Sequence, residues 1–301
     1  MHSVGLVLHP ERDSAEAVGE ILGWAARNGA AVFGIDDEIA RLNCAAEPVT
    51  PGELGRRADL LVSLGGDGTM LRAMRLADGE GTSVLGVNLG KLGFLAEVDV
   101  PELPSALSAI DEHEFTLEPR LAIDAAIGTE AFTAFNDVAV VRVPGNGAAA
   151  VAVGVAGQPF VSYAADALVV ATPTGSTAYS FSAGGPIVSP AVEALLVTPA
   201  SPHSAYNRGL VLSVPDPVTL DILPPSGQLA VEVDGQVTAH VGPGDRIDIR
   251  SRPGAARVVR LGHTTFYQRA RRRLRITDSA EIPAILTEGQ GAGRLSAAGE
   301  Y

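Results

Sequence analysis

The chain has 301 residues, 46% hydrophobic and 19% charged, which excludes a disordered protein and leaves room for one large or two ordinary domains. Its 22 basic and 35 acidic residues give a formal net charge of −13, which argues against a general affinity for nucleic acid, since such binding rests on Lys and Arg contacts to phosphate. No apolar run reaches the roughly 18 to 20 residues that cross a bilayer, and the single Cys44 excludes an internal disulfide framework and predicts a reducing, cytoplasmic setting.

VGLVLH (4–9) reads as a first strand rather than as the apolar core of a secretory signal. SAEAVGEILGWAARNG (14–29) follows as a helix, with Ser14 as N-cap and Gly29 as C-cap. AAVFGI (30–35) is a second strand, and ADLLVSLGG (58–66) is a third, a continuous apolar run typical of burial on both faces. GTMLRAMRLAD (68–78) continues as helix and TSVLGVNLG (82–90) as the next strand. This alternation predicts right-handed crossovers and an N-terminal open parallel-sheet α/β domain over 1–118.

From about Pro119 the rhythm changes to short Val- and Ile-rich runs punctuated by Gly, Pro, Asp and Asn. Such sequence predicts an all-β or nearly all-β unit over 119–263, and VEVDGQVTAH (231–240) carries the Asp-Gly pair of a hairpin. The last helical pattern, 264–276, is expected to return to the N-terminal layer, and 277–301 lose periodicity as a loose tail. Lys91 is the only lysine, whereas QRARRRLR (268–275) concentrates five arginines. That run reads as the solvated face of a helix balancing an acidic body, with anion binding or subunit contact as the alternative.

Three stretches carry chemistry. Gly65–Thr69 joins a strand to a helix through a glycine turn, which gathers backbone N–H groups and a positive helix end into an anion site. It is neither G-x-x-x-x-G-K-[ST] nor G-x-G-x-x-G. A carboxylate among phosphate-binding amides needs a purpose: Asp67 either holds Mg²⁺ or accepts a proton from an attacking hydroxyl. NLGKLGFLAEV (88–98) follows another strand, so Asn88, Gly90 and Phe94 fall at the same carboxyl edge of the sheet. TPTGSTAYS (172–180) is rich in Ser and Thr, too polar for a core, and suits hydrogen bonding to ribose, adenine or phosphate. It lacks the G-x-S-x-G elbow of a serine nucleophile.

GGDGT (65–69), N-x-G-x-L-G-F-L (88–95), Asn136-Asp137 and Asp166 followed by TPTGSTAYSFSAGGP (172–186) resemble the NAD kinase family in order and spacing. PHSAYNR (202–208) and VDGQ (233–236) fall where that family has similar segments, and the likeness covers about residues 4 to 275. GGDGT alone also occurs in diacylglycerol and sphingosine kinases and, more loosely, in 6-phosphofructokinases; the 172–186 motif is the discriminating one. The resemblance implies a GGDGT-kinase α/β domain with a C-terminal β-sandwich-like, dinucleotide-binding domain. It implies Asp67 as general base toward the 2′-hydroxyl of the adenosine ribose, with Gly65, Gly66, Gly68, Thr69, Asn88 and Gly90 seating phosphates. Asn136 and Asp137 would hold the adenosine half and Asp166 the nicotinamide side. Phe94, Thr177, Ala178, Tyr179, Ser182 and Gln236 would complete the NAD contacts.

The implied donor is ATP, or polyphosphate, with Mg²⁺ or another divalent cation carried through the phosphates, and the implied assembly is a homodimer or homotetramer. Four positions depart from the family pattern: Asp137 where Glu is usual, Ala167 where Gly is usual, Ala164 where many members are basic, and Gly209 where Pro is common. These motivate two alternatives: a kinase of the same fold acting on NADH or another adenosine nucleotide, and a dinucleotide-binding regulator without turnover.

Overall fold

The computed structural model describes residues 1–90, 93–203 and 206–277; Lys91 and the expected tail from 278 onward lie outside the described residues. Five parallel strands build the first layer: β1 (Ser3–Leu8), β2 (Ala31–Ile35), β3 (Glu47–Val49), β4 (Leu60–Gly65) and β5 (Ser83–Asn88). Between them run α1 (Ala15–Asn28), α2 (Asp36–Leu42), α3 (Pro51–Arg57) and α4 (Asp67–Ala77). Every residue of β1 and β4 is buried, as their unbroken apolar runs require of central strands covered on both faces. The order is β3-β2-β1-β4-β5. It reverses between β1 and β4, and the crevice beyond their carboxyl ends is where such sheets take ligands.

The short β6 (Val98–Asp99) and α5 (Leu103–Asp111) close this layer. Strands then follow as β7 (Thr116–Ile127), β8 (Glu130–Ala134), β9 (Asp137–Arg142), β10 (Ala149–Val155), β11 (Gln158–Ala165) and β12 (Ala167–Ala171). After the one-turn helix α6 (Tyr179–Ser182) come β13 (Ala194–Ala200), β14 (Leu210–Ser213), β15 (Val218–Ile222), β16 (Leu229–Val233), β17 (Gln236–Val241) and β18 (Arg246–Arg260), and last the helix α7 (Phe266–Leu274). β14-β13-β12-β9-β16-β17 form an antiparallel sheet of six strands. It packs through Val138, Val140, Leu168 and Val170 against Val151, Leu220 and Ile249 of the larger sheet, giving a sandwich core.

β18 connects the two regimes. Its start pairs antiparallel with β15, its end pairs parallel with β5 (Arg257 with Ser83), and β7 runs along it throughout. Pro253 and Gly254 (φ 66°) fall where the β7 register slips, between Arg252 and Ala256. The parallel sheet therefore continues without a break into one wall of the sandwich. The C-terminal end of α4 is tied to both sheets: Arg75 pairs with Asp234 (2.5 Å) on the turn between β16 and β17, and Arg252 of β18 bonds Asp78 (2.5 and 2.7 Å) and Asp124 (2.8 and 3.0 Å).

Gly29 ends α1 in the left-handed conformation (φ 67°), as its C-cap position predicts. Ser14 stands at the N-cap, but its hydroxyl makes no capping bond and is buried without a partner, so the expected cap is positional only. α2, β3, α3 and α5 go beyond the sequence reading. α3 contains Gly52 and Gly55, poor helix formers; Pro51 at its first position and the Thr50–Glu53 capping box start it, and Gly55 lets it close on α4, where a Cβ would lie 2.2 Å from the Leu76 carbonyl oxygen. Among the described residues no helix is long and apolar enough to cross a membrane.

Phe135 is fully buried in the cluster that joins Met70 and Met74 of α4 to Ala122 and Ala256 of the sandwich wall. Phe135→Ala is expected to destabilise the protein by about 3–5 kcal/mol in urea unfolding, with both halves still melting in one transition. Two separated transitions would show that this junction does not couple them.

Candidate active site

β4 ends at Gly65 and α4 begins at Asp67, so the chain turns within one residue. A Cβ on Gly65 would lie 2.2 Å from Thr69 Oγ1; glycine here is a packing requirement, and Thr69 is buried behind it. Gly68 has nothing within 4 Å of its Cβ position and Gly66 only Arg12 Nη1 at 3.8 Å, so these two keep their faces open. The unpaired N–H groups of the first turn of α4, with the positive end of its dipole, face that opening.

The Asp67 carboxylate reaches across to the second glycine loop. Its Oδ2 accepts from Phe94 N–H (3.0 Å) and its Oδ1 from Leu95 N–H (3.1 Å). A Cβ on Gly93 would come 2.2 Å from Asp67 Oδ1, so the glycine before Phe94 is there because of Asp67. Each carboxylate oxygen keeps a further acceptor direction. The two glycine loops are thus one unit, with the carboxylate as its joint.

A cavity of about 410 Å³ lies over this unit, lined by Gly66–Thr69 together with His9, Arg12, Arg72, Arg75 and Gln236. The cations come from outside the glycine motif. Arg12, on the loop after β1, passes between the glycine loops, 3.8 Å from a Cβ on Gly66 and 2.9 Å from one on Gly90. Arg72 pairs with Glu38 (2.6 Å) and donates to Leu8 O (2.9 Å). His9 Nδ1 accepts from the N–H groups of Glu11 and Arg12 (both 3.1 Å); burial, then the Arg12 guanidinium, hold its pKa below the usual 6.5, which keeps the ring neutral. Among the described residues, three guanidiniums line the cavity that holds the Asp67 carboxylate, Arg72 and Arg75 being held in place by Glu38 and Asp234, and together they make an anion seat. Sequence reasoning missed all three; the one available signal was the i, i+3 spacing of Arg72 and Arg75 on α4.

Gln236 reaches this cavity because it follows the Asp234-Gly235 turn, whose φ values of 49° and 79° match a two-residue hairpin. Asp234 does more than turn the chain. Its side chain is 2% exposed, and its Oδ1 accepts from Asn136 N (2.7 Å), Phe135 N (3.1 Å) and Asp137 N (3.3 Å) while Oδ2 takes Arg75. Asn136 and Asp137 are thereby fixed beside the cavity. Asp137 is 3% exposed and accepts from Tyr179 N–H; burial, then the nearby charges of Asp234 and Glu232, push its pKa up from 3.8 to about 7. Burial, then Glu232, Asp137 and Asp166, also raise the Tyr179 phenol.

The hydroxyl-rich loop differs from expectation. Thr172, Thr174, Ser176 and Ser180 are buried and their hydroxyls serve the fold: Thr172 Oγ1 donates to Phe135 O (2.6 Å), Ser176 Oγ to Pro173 O (2.7 Å), and Ser180 Oγ meets Thr198 Oγ1 (3.0 Å). They brace the loop against Phe135–Asn136, where a Cβ on Gly175 would lie 2.1 Å from Asn136 O. Polar composition was misleading because each hydroxyl finds a partner in the fold that sequence does not reveal, a backbone carbonyl for Thr172 and Ser176 and a side chain for Thr174 and Ser180. Thr177, Ala178 and Tyr179 are half-buried at its outer edge, and Ser182 is exposed with its hydroxyl 3.5 Å from Ala178 O.

Two predicted residues stand apart. Asp166 pairs with Arg142 (2.6 Å) and lies 3.9 Å from His203 at the far end of β12. Ala171 pairs with Asp137, and Asp166 lies five positions before Ala171, which separates Asp166 from Asp137 by roughly 17 Å at about 3.4 Å per residue. Asn88 turns its amide onto Gly90 O (3.0 Å) and Asp99 Oδ1 (2.8 Å), closing its own loop. Ala167 is ordinary strand without positive φ, so this chain does not need glycine there.

The chain matches two successive family profiles, the ATP-NAD kinase N-terminal domain over residues 4–115 and the ATP-NAD kinase C-terminal domain over 135–261. It is 39% identical to NAD kinase 1 of Streptomyces avermitilis, over 96% of this chain and 90% of that protein, and 36% identical to the NAD kinase of Desulforamulus reducens, over 91% and 98%. Yeast NADH kinase complexed with NADH superposes with a TM-score of 0.82 at 25% identity, covering 96% of this chain and 90% of that one. An NAD kinase from Archaeoglobus fulgidus in complex with ATP shares the fold, with a TM-score of 0.70 at 24% identity over 91% and 98%. With both family domains matched in order and relatives above 30% identity along nearly its whole length, the chain belongs to the ATP-NAD kinase family.

Proposed function

We propose that this protein transfers the terminal phosphoryl group of ATP to the 2′-hydroxyl of the adenosine ribose of NAD, giving NADP. The observation that carries the reading is the Asp67 carboxylate, clamped by the Phe94 and Leu95 amides at the mouth of an open glycine turn and surrounded by three arginines. A ribose hydroxyl is a poor nucleophile at neutral pH, so a positioned carboxylate is what the transfer needs. Asp67 takes the hydroxyl proton as the new O–P bond forms and the bond to ADP breaks. The amides of Gly66–Thr69 seat the phosphates, with Gly65 making room for Thr69, while Arg12, Arg72 and Arg75 offset charge that grows on the transferring group.

Asn136 and Asp137 hold the adenosine half, with Gln236, Phe94 and the edge Thr177–Tyr179 beside it; Asp166 and Ser182 lie toward the nicotinamide side, and Asn88 and Gly90 shape the phosphate end. Among the described residues no group of three His, Cys, Asp or Glu side chains gathers to hold a metal. A single cavity carboxylate, Asp67, suits a Mg²⁺ that keeps phosphate oxygens and water as its ligands. When bound, that ion neutralises charge on the phosphates. A homodimer or homotetramer in the cytoplasm belongs to the same reading; exposed Val211 and Val237, on the two edge strands of the six-stranded sheet, favour association. The likeness to yeast NADH kinase keeps NADH as a second acceptor.

Incubation with Mg·ATP and NAD or NADH is expected to yield the 2′-phosphorylated dinucleotide. Asp67→Asn should lower the rate by about 10²- to 10⁴-fold while dinucleotide binding by calorimetry persists. No product from any adenosine acceptor would sink the kinase reading, and tight NAD binding without turnover would point to a regulator.

Asp137 gives a pH signature. A carboxyl whose folded pKa is raised holds its proton longer when folded, so its contribution is full below the unfolded value of 3.8 and is lost as pH rises through about 7. At about 1.4 kcal/mol per unit the loss is on the order of 4 kcal/mol by pH 8. Asp137→Asn, which carries no charge, should be more stable than the wild type at pH 8 and converge with it near pH 4 in urea unfolding. A difference independent of pH would contradict the shift.

A further inference from the structure

One of the five arginines in the 268–275 run is not on a solvated face. Arg269 of α7 is 3% exposed, and beside it lie Arg260 of β18 at 7% and Arg120 of β7 at 2%. These three guanidiniums share two carboxylates. Glu97 accepts from Arg260 Nη1 (2.9 Å), Arg269 Nη1 (3.3 Å) and Leu261 N–H (2.8 Å). Glu118 contacts Arg120 and lies 3.6 Å from Arg260 Nε. The cluster therefore holds an excess positive charge inside an acidic protein. Burial, then the Arg260 charge, pushes Arg120 down to about 9.

The donors are also in excess. Arg120 Nε, Arg260 Nε, Arg260 Nη2 and Arg269 Nε are buried with no hydrogen-bond partner among the described residues. Buried guanidinium donors are nearly always paired, so this many orphans signals a missing acceptor. A cavity of about 400 Å³ lies in front of this cluster, lined by Arg260, Arg269, Glu118, Thr264, Thr265 and Phe266; Arg120 and the orphan nitrogens sit behind its wall. Thr265 is the N-cap of the nine-residue α7 and forms a capping box with Gln268, which leaves the Phe266 and Tyr267 N–H groups and the positive dipole end at this end of the helix. Water in the cavity leaves the surplus charge of three guanidiniums against two carboxylates in place; an oxyanion offsets it, and a small turn of the Arg260 and Arg269 side chains brings their orphan donors to it.

We propose that this cavity binds a phosphate-type oxyanion between Arg260, Arg269 and the first turn of α7, at a site separate from the Gly66–Thr69 seat. The site reaches the reaction centre through its inner groups. Arg260 Nη1 donates to Leu95 O (3.0 Å), and the Leu95 N–H holds Asp67; Arg120 Nη1 donates to Thr174 Oγ1 (3.2 Å) in the hydroxyl-rich loop. Occupancy steadies both loops and raises turnover. This last consequence rests on the proposed kinase activity; the binding itself does not.

The test uses the full chain. Crystals soaked in selenate should show an anomalous peak between Arg260 and Arg269. Sulfate should raise Tm saturably above a chloride control of equal ionic strength, an effect at least halved in Arg269→Gln. Glu118→Gln removes a negative charge from the wall and should lower the sulfate midpoint about fivefold, a gain that damaged folding cannot mimic. Any stabilisation from the Gly66–Thr69 loop is common to all variants and cancels. Protection by inorganic phosphate and also by glycerol phosphate would identify a phosphate monoester as an acceptable source, and protection by inorganic phosphate alone the free ion. Selenate at the glycine loop with none in this cavity, or equal sulfate effects in all variants, would overturn the site. A protein that binds selenate here yet makes no NADP would refute the kinase reading and leave this site standing.

Discussion

Asp234 and Arg75 form the contact on which the geometry depends. A buried carboxylate is costly unless it is paired and hydrogen-bonded, and Asp234 meets both conditions with one cation from α4 and three backbone N–H groups from Phe135–Asp137. Each partner brings a different part of the protein. Arg75 belongs to the helix that starts at Asp67; the three amides belong to the turn that carries Asn136 and Asp137. The Asp-Gly turn that presents the carboxylate also presents Gln236. Removing the charge would release the phosphate seat from the adenosine seat, because Arg75 lines the one and the amides of Asn136 and Asp137 belong to the other.

The same logic of close approach operates at Asp67. Its carboxylate is fixed because Gly93 leaves space for it and because two amides of the facing loop point at it. Position is what the glycines provide. Arginines drawn from the β1 loop and from α4 then set the sign of the cavity, which is why a chain of net charge −13 can still present an anion seat.

The parallel layer was readable in the sequence because its strands are continuous apolar runs, and these fall on β1, β2, β4 and β5. The Asp-Gly hairpin was equally readable, since turn chemistry is local. What sequence hid is everything that depends on distant partners. Arg12 and Arg75 join the cavity through folding alone. Asp234 read as a turn residue because nothing nearby announces the amides it collects. Thr172, Thr174, Ser176 and Ser180 looked like ligand groups and are braces, because a hydroxyl's partner is invisible in one dimension. Arg269 looked like one more surface charge in an arginine run, and only its place beside Glu97, distant in the chain, accounts for its burial. Short α3 escaped because propensity opposes it and tertiary packing on α4 overrides propensity.

The Arg75–Asp234 pair fixes the two halves of the site relative to each other. A double-mutant cycle with Arg75→Gln and Asp234→Asn, read as kcat/KM for NAD phosphorylation, measures it directly. A coupling of about 1–3 kcal/mol is the predicted result, with the double variant little worse than either single one. Additive losses within about 0.5 kcal/mol would contradict the claim.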